Sequence, residues 1–299
     1  MRQQLGQVRR LLRSASHPDE PPNPPAGLAP AHLTPVPGRG EMFFRREEGP
    51  AGEVPVLLLH GWTVSADTTW WPLYPALRGR YPFIAVDHRG HGRGIRAEAA
   101  FSLEACADDA AALLRHLGID RAVVAGYSMG GPVAMLMRQR HGDLVAGLVL
   151  AASALEWRSA RWERAVWRSM TIFELALRLG TGDGFVQRYL RYAVEKTPEV
   201  AELRAWVAGE LTRGKPRDLA MAGRVLSDFD ARPFVSSLDV PCATVVTTRD
   251  VLVRPRKQRE LAQAVGGPVF EVDGDHFAPL IQAKAFADAM IEAVRSLAL

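Results

Sequence analysis

The residues with the most distinctive chemistry are Gly126-Tyr127-Ser128-Met129-Gly130, which place a serine between two glycines. An apolar run at 122–125 predicts a strand before them, and helical spacing begins at Met129. A serine on a sharp strand-to-helix turn points outward, and the glycines are needed because side chains there would collide with neighbouring backbone. This context predicts that Ser128 is a nucleophile.

A serine hydroxyl is a poor nucleophile at neutral pH, so this interpretation requires a base and an acid that orients the base. His276 is the candidate base, because it lies in a loop between the last predicted strand, 269–272, and the last helix. Asp250 is the candidate acid, because it follows the predicted strand 243–247. Both lie at carboxyl ends of strands, where the sites of open α/β sheets collect. Glu156 follows another predicted strand and is the alternative acid.

His60-Gly61-Trp62 follows directly on the apolar run 54–59. We expect the histidine to brace this loop and the glycine to let the backbone turn. The backbone N–H of Trp62 would then point into the site and, with the N–H of Met129, form a two-donor oxyanion hole.

A second turn, Asp87-His88-Arg89-Gly90-His91-Gly92, follows the predicted strand 83–86. Two histidines and an aspartate could suggest a metal site, but no third and fourth ligands are apparent. We interpret the segment as a charged, glycine-rich structural turn. Neither a metal nor an organic cofactor is predicted for this chain.

Short apolar runs alternate with longer helical patterns from residue 53 onward, which predicts an α/β fold with a mostly parallel sheet and crossover helices. The runs are nearly continuous in apolar residues, as in strands buried on both faces. The predicted strands are 54–59, 83–86, 122–125, 148–152, 243–247 and 269–272. The predicted helices are 103–117, 129–141, 255–265 and 283–297.

One long insertion, 154–238, has much helical and little strand signal. We predict that it forms a helical cap over the carboxyl ends of the strands, with the core domain made of 39–153 and 239–299. The insertion is rich in aromatic residues, most of which we expect to be packed in its core. The residues predicted to line an apolar substrate pocket are Tyr127, Trp157, Trp162 and Phe277.

Charge and proline content set the first 38 residues apart. Of 37 basic residues, four arginines lie in the first 16 positions without any acid, so the remaining 33 balance all 33 acidic residues. Eight of the 21 prolines lie at 18–37. Proline lacks a backbone donor, so we expect residues 1–38 to be a disordered leader. A charge-balanced folded part predicts no nucleic-acid partner.

The remaining composition indicates a soluble protein. No run of 18 apolar residues could span a membrane. The two cysteines, Cys106 and Cys242, both lie in predicted core elements, and reduced thiols in a cytoplasm are the simplest explanation. The sequence gives no oligomeric state.

The motifs together resemble the α/β-hydrolase fold family, in its cap-bearing group of serine esterases. The resemblance covers about residues 40–299, with the motifs in the family's order. It implies Ser128 as nucleophile, Asp250 and His276 as its partners, and the N–H groups of Trp62 and Met129 as oxyanion donors. One departure is Arg93-Gly94, where the family often has a serine at the second position, which puts the local turn in question.

The predicted function is hydrolysis of a carboxylic ester of a small molecule with an apolar acyl or aromatic group, through an acyl-enzyme intermediate. A carbon–carbon bond hydrolase or lyase using the same residues is the alternative, since related enzymes share a similar Gly-Tyr-Ser-Met-Gly-Gly segment. A non-catalytic ligand-binding protein is a further alternative, although such a protein should lack part of the triad.

Overall fold

The computed structural model describes residues 24–96, 99–158, 163–164, 167 and 203–299, apart from the side chains of Arg204 and Pro216. These residues form an eight-stranded sheet in the order β1-β2-β4-β3-β5-β6-β7-β8. The strands are β1 Ala31–Val36, β2 Gly40–Glu47, β3 Val56–Leu59, β4 Phe83–Val86, β5 Ala122–Tyr127, β6 Val145–Ala151, β7 Cys242–Thr247 and β8 Val269–Val272. The pairs from β4 through β8 are parallel, and β1 and β2 join antiparallel at one edge.

Helices pack on both faces of the sheet. The helices are α1 Ala66–Trp70, α2 Tyr74–Leu77, α3 Leu103–His116, α4 Gly130–Arg140, α5 Arg204–Leu211, α6 Pro216–Asp228, α7 Pro255–Val265, α8 Ala278–Ile281 and α9 Ala283–Ser296. Apolar side chains of α3, α4 and α7 share one core cluster with strand residues, and those of α1, α2 and α9 share the other. This layering buries the central strands on both faces.

The predicted α/β fold with a mostly parallel sheet is confirmed. The six predicted strands correspond to β3 through β8, and the four predicted helices correspond to α3, α4, α7 and α9, with ends that differ by at most a few residues. Continuous apolar runs identified β3 through β7 because both of their faces are covered by helices, whereas β8 at the sheet edge is partly exposed.

The predicted leader extends too far along the chain. The structure places a strand, β1, at 31–36, inside the range predicted to be disordered, and a hairpin joins it to β2. Pro35 lies within β1 opposite Glu41. An edge strand tolerates proline because one of its sides needs no ladder hydrogen bond, so proline content was a misleading signal there. Residues 1–23 lie outside the described residues.

The predicted cap, 154–238, lies partly outside the described residues, and Trp162 is among those left out. Its described second half contains α5 and α6. Trp206, Val207 and Leu211 of α5 form a small apolar cluster that is packed by Val64 and Trp71 of the sheet domain. This part of the insertion therefore lies directly against the loop and helix that follow β3. The cap boundaries themselves stay a prediction.

Within the described parts of the chain, no helix is both long and apolar enough to cross a lipid bilayer.

Candidate active site

Ser128 occupies the turn between β5 and α4 in a left-handed backbone conformation, with φ of 54°. A non-glycine residue in this region is strained, and such strain is concentrated at functional turns. Gly126 and Gly130 allow the turn to be tight. A Cβ on Gly126 would collide with the backbone of Gly130, and one on Gly130 would collide with the carbonyl of Leu59 in β3.

Three side chains from separate loops meet at this turn. His276 Nε2 lies 3.0 Å from Ser128 Oγ, and His276 Nδ1 lies 2.7 Å from Asp250 Oδ2. Asp250 is buried, and its Oδ1 accepts the backbone N–H groups of Leu252 and Val253, both at 2.8 Å. The structure thus brings together the serine, histidine and aspartate that the sequence singled out.

The alternative acid, Glu156, is engaged elsewhere. Its carboxylate lies 3.0 Å from Lys257 Nζ, and it accepts the backbone N–H of Arg158 at 2.9 Å. The structure places Asp250 and not Glu156 against the histidine. Asp275 forms a local turn, because its Oδ1 accepts the N–H of Phe277 at 2.8 Å.

The sequence did not identify two further side chains that contact Asp250. Thr247 Oγ1 lies 2.9 Å from Asp250 Oδ2, and Gln258 Nε2 lies 3.2 Å from the same oxygen. Thr247 ends β7 and Gln258 lies in α7, so both approach from elements that flank the Asp250 loop. A single glutamine in a helix carries no sequence signal for such a contact.

Tyr127 is predicted to line the substrate pocket, and that role stays a prediction. The side chain is buried in the core, where its ring makes edge contacts with Trp70 and Phe286. Its hydroxyl donates a 2.6 Å hydrogen bond to the carbonyl of His276, and its ring centroid lies 5.4 Å from that of the imidazole. Tyr127 therefore supports the loop that carries His276 from the side of the core.

The loop after β3 lies against the serine turn. A Cβ added to Gly61 would lie 3.4 Å from Ser128 Cβ, at ordinary van der Waals distance, so the two turns pack closely. The indole of Trp62 points the other way and donates a 2.7 Å hydrogen bond to the carbonyl of Leu219 in α6. Its ring also lies 5.7 Å from that of Trp167 in the insertion. The same residue thus joins the serine turn to the insertion.

His60 braces this loop through both ring nitrogens. Nδ1 donates to the carbonyl of Gly61 at 2.7 Å, and Nε2 accepts the N–H of His88 at 2.9 Å. The rings of His88 and His91 lie 4.4 and 5.6 Å from that of His60. Burial lowers the pKa of His60 to about 4 and that of His91 to about 3, and it also lowers the pKa of His88. The three rings are therefore neutral at pH 7.

The turn after β4 also contacts the start of α1, the helix that follows the loop after β3. Asp87 accepts the backbone N–H groups of Ala66 and Arg93, each at 2.7 Å. Within the described residues, no group of three or more histidine, cysteine or acidic side chains is arranged to hold a metal ion.

The position where the family often has a serine is Gly94, and a Cβ there would collide with the backbone carbonyls of His88 and Asp87. Arg93, the residue before it, contacts two other elements. Its guanidinium lies 2.5 Å from Glu210 in α5 and 3.3 Å from Asp67 in α1. Arg45 and Arg213 complete this buried cluster by pairing with Asp67 and Glu210. Burial raises the pKa of Glu210 and Arg93 opposes that rise. The arginine ties the insertion to the sheet domain, and the sequence could not reveal its partner.

The other predicted pocket residues are only partly located. Trp157 is buried, and its carbonyl accepts the indole N–H of Trp167 at 2.9 Å. Phe277 packs edge-on to His276, with ring centroids 6.5 Å apart. Trp162 lies outside the described residues, so the pocket assignment stays a prediction.

The sheet is open and mostly parallel, and it carries a serine on a strand-to-helix turn. That serine contacts a histidine from a later loop, which in turn contacts an aspartate. This arrangement is typical of serine hydrolases. A model of the alpha/beta hydrolase fold family matches residues 54–282. The chain therefore belongs to the α/β-hydrolase fold family, as an esterase-like hydrolase. The predicted family and enzyme class are confirmed, and the roles of the individual site residues stay predictions.

Relatives and solved structures agree with this assignment. The chain is 29% identical over 247 residues to a pimeloyl-[acyl-carrier protein] methyl ester esterase of Neisseria meningitidis serogroup C, covering 81% of this chain and 94% of that protein. It is 30% identical over 213 residues to the enzyme of that name from Chromobacterium violaceum, covering 70% and 81%. A thermophilic esterase from Thermogutta terrifontis has a similar fold, with a TM-score of 0.74, 24% identity, and 90% and 99% coverage.

Proposed function

We propose that the chain is a serine hydrolase that cleaves a carboxylic ester of a small molecule through an acyl-enzyme intermediate. The continuous hydrogen-bonded path from Asp250 through His276 to Ser128 supports this proposal most directly, with contacts of 2.7 and 3.0 Å. Such a path is the arrangement needed to remove a proton from a serine hydroxyl as it attacks.

In the proposed reaction, Ser128 Oγ attacks the ester carbonyl carbon while His276 Nε2 takes the hydroxyl proton. Asp250 holds the imidazole by its other nitrogen and stabilises the imidazolium that forms. The backbone N–H groups of Trp62 and Met129 stabilise the oxyanion, with an expected contribution of about 3 kcal/mol per donor. His276 then protonates the leaving alcohol oxygen, and water activated by the same base hydrolyses the acyl-enzyme.

The proposed substrate carries an apolar acyl or aromatic group. Trp62 and Trp167 lie close together where the insertion meets the serine turn, and aromatic rings favour apolar groups there. The names of the Neisseria and Chromobacterium relatives point to methyl esters of acyl groups, so short-alcohol esters of medium-length acids are the first to test. In the proposed reaction, the serine, histidine and aspartate hydrolyse the ester without a metal or an organic cofactor.

Labelling with a fluorophosphonate probe tests the nucleophile, because the probe reacts with activated serines. The wild type should be labelled and Ser128→Ala should not. Ser237→Ala is a matched control, since Ser237 is exposed in a short turn before β7 and its removal should leave labelling unchanged. Equal labelling of wild type and Ser128→Ala would show that the nucleophile is wrong.

A screen of p-nitrophenyl and methyl esters of increasing acyl length tests the reaction. Turnover that disappears in Ser128→Ala supports ester hydrolysis. Labelling without turnover of any ester would contradict it and favour carbon–carbon bond cleavage by the same residues.

A further inference from the structure

Gln258 is completely buried in α7, a helix whose other polar residues are largely solvent-accessible. Transfer of an amide side chain into the protein interior is unfavourable unless its donors and acceptor are all hydrogen-bonded. At this position the two amide hydrogens and the amide oxygen of Gln258 therefore all need hydrogen-bond partners.

The amide oxygen fixes the orientation of the side chain. It lies 2.9 Å from the backbone N–H of Thr247, and only an oxygen can accept that hydrogen. The amide nitrogen is therefore placed on the opposite side. There it donates to Thr247 Oγ1 at 2.8 Å and to the carbonyl of Val253 at 2.7 Å, and it lies 3.2 Å from Asp250 Oδ2.

This orientation determines the direction of the next hydrogen bond. Because the Gln258 nitrogen can only donate, Thr247 Oγ1 accepts from it and keeps its own hydrogen for another partner. That partner is Asp250 Oδ2 at 2.9 Å, the oxygen that also faces His276 Nδ1. The bonds run in one direction, from amide to hydroxyl to carboxylate.

Asp250 is thereby held at both oxygens. Oδ1 is fixed by two backbone N–H groups of its own loop, and Oδ2 accepts from the hydroxyl of Thr247, which Gln258 orients from α7. Rotation of the carboxylate away from the imidazole would break bonds at both ends. Charge-assisted bonds of this kind are stronger than neutral ones.

We propose that Gln258 is a positioning residue of the reaction, which acts through Thr247 to keep the Asp250 carboxylate directed at His276 Nδ1. The inference rests on the proposed serine hydrolase function. It assigns Gln258 no contact with the substrate, so its effect should be on turnover and not on substrate binding.

The test compares Gln258→Met, Thr247→Val and the control Gln263→Met in the full chain, with the best ester from the screen. Methionine and valine keep the side-chain shape and remove the polar atoms. Gln263 lies in the same helix but is exposed. Gln258→Met and Thr247→Val should each lower kcat by about tenfold or more while KM changes little. Gln263→Met should match the wild type.

Two readouts separate positioning from a merely structural role. In the variants, the acid limb of the kcat/KM profile should move to lower pH, because a misaligned Asp250 stabilises the imidazolium less well. In a double-mutant cycle, adding Gln258→Met to Asp250→Asn should lower kcat much less than it does in the wild type. A full, multiplicative loss in that background would overturn the proposal.

Thermal unfolding of each variant accompanies these measurements. If Gln258→Met does not fold, Thr247→Val alone decides, since it removes a single hydroxyl. If Thr247→Val keeps wild-type kcat and pH profile, the proposal is wrong. Failure of the serine hydrolase proposal would look different, because Ser128→Ala would then be labelled by the fluorophosphonate probe and would keep its turnover.

Discussion

The two sides of Ser128 are held by different parts of the chain. The side that holds the predicted acid is called the acid flank and consists of Thr247, Asp250 and Gln258. It is fixed by bonds among residues at most 11 positions apart. The side predicted to supply an oxyanion donor is called the oxyanion flank and consists of His60, Gly61 and Trp62. It depends on the turn after β4 and on Leu219, 157 positions further along the chain than Trp62.

This difference separates chemistry from substrate access. The acid flank is built entirely by the sheet domain, so its variants should change turnover alone. The oxyanion flank includes a hydrogen bond to the insertion, so its variants should change both turnover and substrate binding.

The largest effect is expected on the acid flank itself. Asp250→Asn should lower kcat by about 10⁴-fold, because an amide favours the wrong tautomer of His276. Glu156→Gln is the matched control and should lose far less, since Glu156 pairs with Lys257. Steady-state kinetics on one ester measures both. Comparable losses in the two variants would support Glu156 as the acid that orients His276.

The ion-pair cluster beneath the oxyanion flank should affect stability more than turnover. Arg93→Met leaves the buried Glu210 and Asp67 with less positive charge and should lower the free energy of unfolding by about 3 kcal/mol. Denaturant titration checks this value. Arg256→Met, which removes a solvent-exposed pair with Glu260, should leave stability nearly unchanged. Equal effects would show that the cluster does not anchor α5.

The histidines next to the oxyanion flank should make stability depend on pH. The pKa of His60 is about 4 in the folded chain and near 6.5 when unfolded, so the unfolded chain binds more protons between these values. Stability is therefore full above pH 6.5 and falls by about 3 kcal/mol from His60 alone as the pH drops to 4. Guanidinium midpoints from pH 7.5 to 4.5 measure the slope.

A variant pair identifies the source of that slope. His60→Asn should reduce the pH dependence of stability and leave the share that comes from His88 and His91, although it lowers stability at pH 7. His116→Gln should leave the slope unchanged, because His116 is exposed on α3. A slope in His60→Asn equal to that of the wild type would assign it to other groups.

The link between the oxyanion flank and the insertion should have a moderate effect. Trp62→Phe keeps an aromatic ring but removes the donor to the Leu219 carbonyl, so kcat/KM should fall about tenfold, with changes in both kcat and KM. Trp167→Phe removes a similar bond, to Trp157, within the insertion and should change kcat less. A change in kcat alone for Trp62→Phe would remove the distinction between the flanks.

The smallest effect is expected for Tyr127, which contacts the backbone of His276 and belongs to neither flank. Tyr127→Phe removes the hydroxyl bond to the His276 carbonyl but keeps the ring contacts, so kcat should fall by about three- to tenfold with KM unchanged. Tyr81→Phe, on a partly buried tyrosine before β4, is the control and should leave kcat unchanged. A rise in KM for Tyr127→Phe would support its original prediction as a pocket residue.

The features that could be predicted from the sequence are local. Ser128 was identifiable because the strand, turn and helix around it are contiguous, and His276 and Asp250 because each follows a recognisable strand. The strand β1 was not identifiable, since Pro35 is tolerated only because of its place at the sheet edge.

The functions of Gln258 and Arg93 depend on partners that the sequence does not place beside them. Glutamine in a polar helix is ordinarily exposed, and its burial follows from the packing of α7 on β7. In the sequence, Arg93 is only part of a departure from a local motif, because its partner Glu210 lies in α5, 117 positions later. Local patterns predicted the reacting groups. The side chains that hold those groups in place could be recognised only from the tertiary structure.

The Arg93 cluster also holds α5 against the sheet domain. Lifting α5 would separate Glu210 from Arg93 and Arg213, a rupture of buried ion pairs that costs about 3 kcal/mol or more. A state with α5 lifted would be populated in fewer than about one molecule in a hundred. We therefore expect α5 to stay docked on the sheet domain in nearly all molecules.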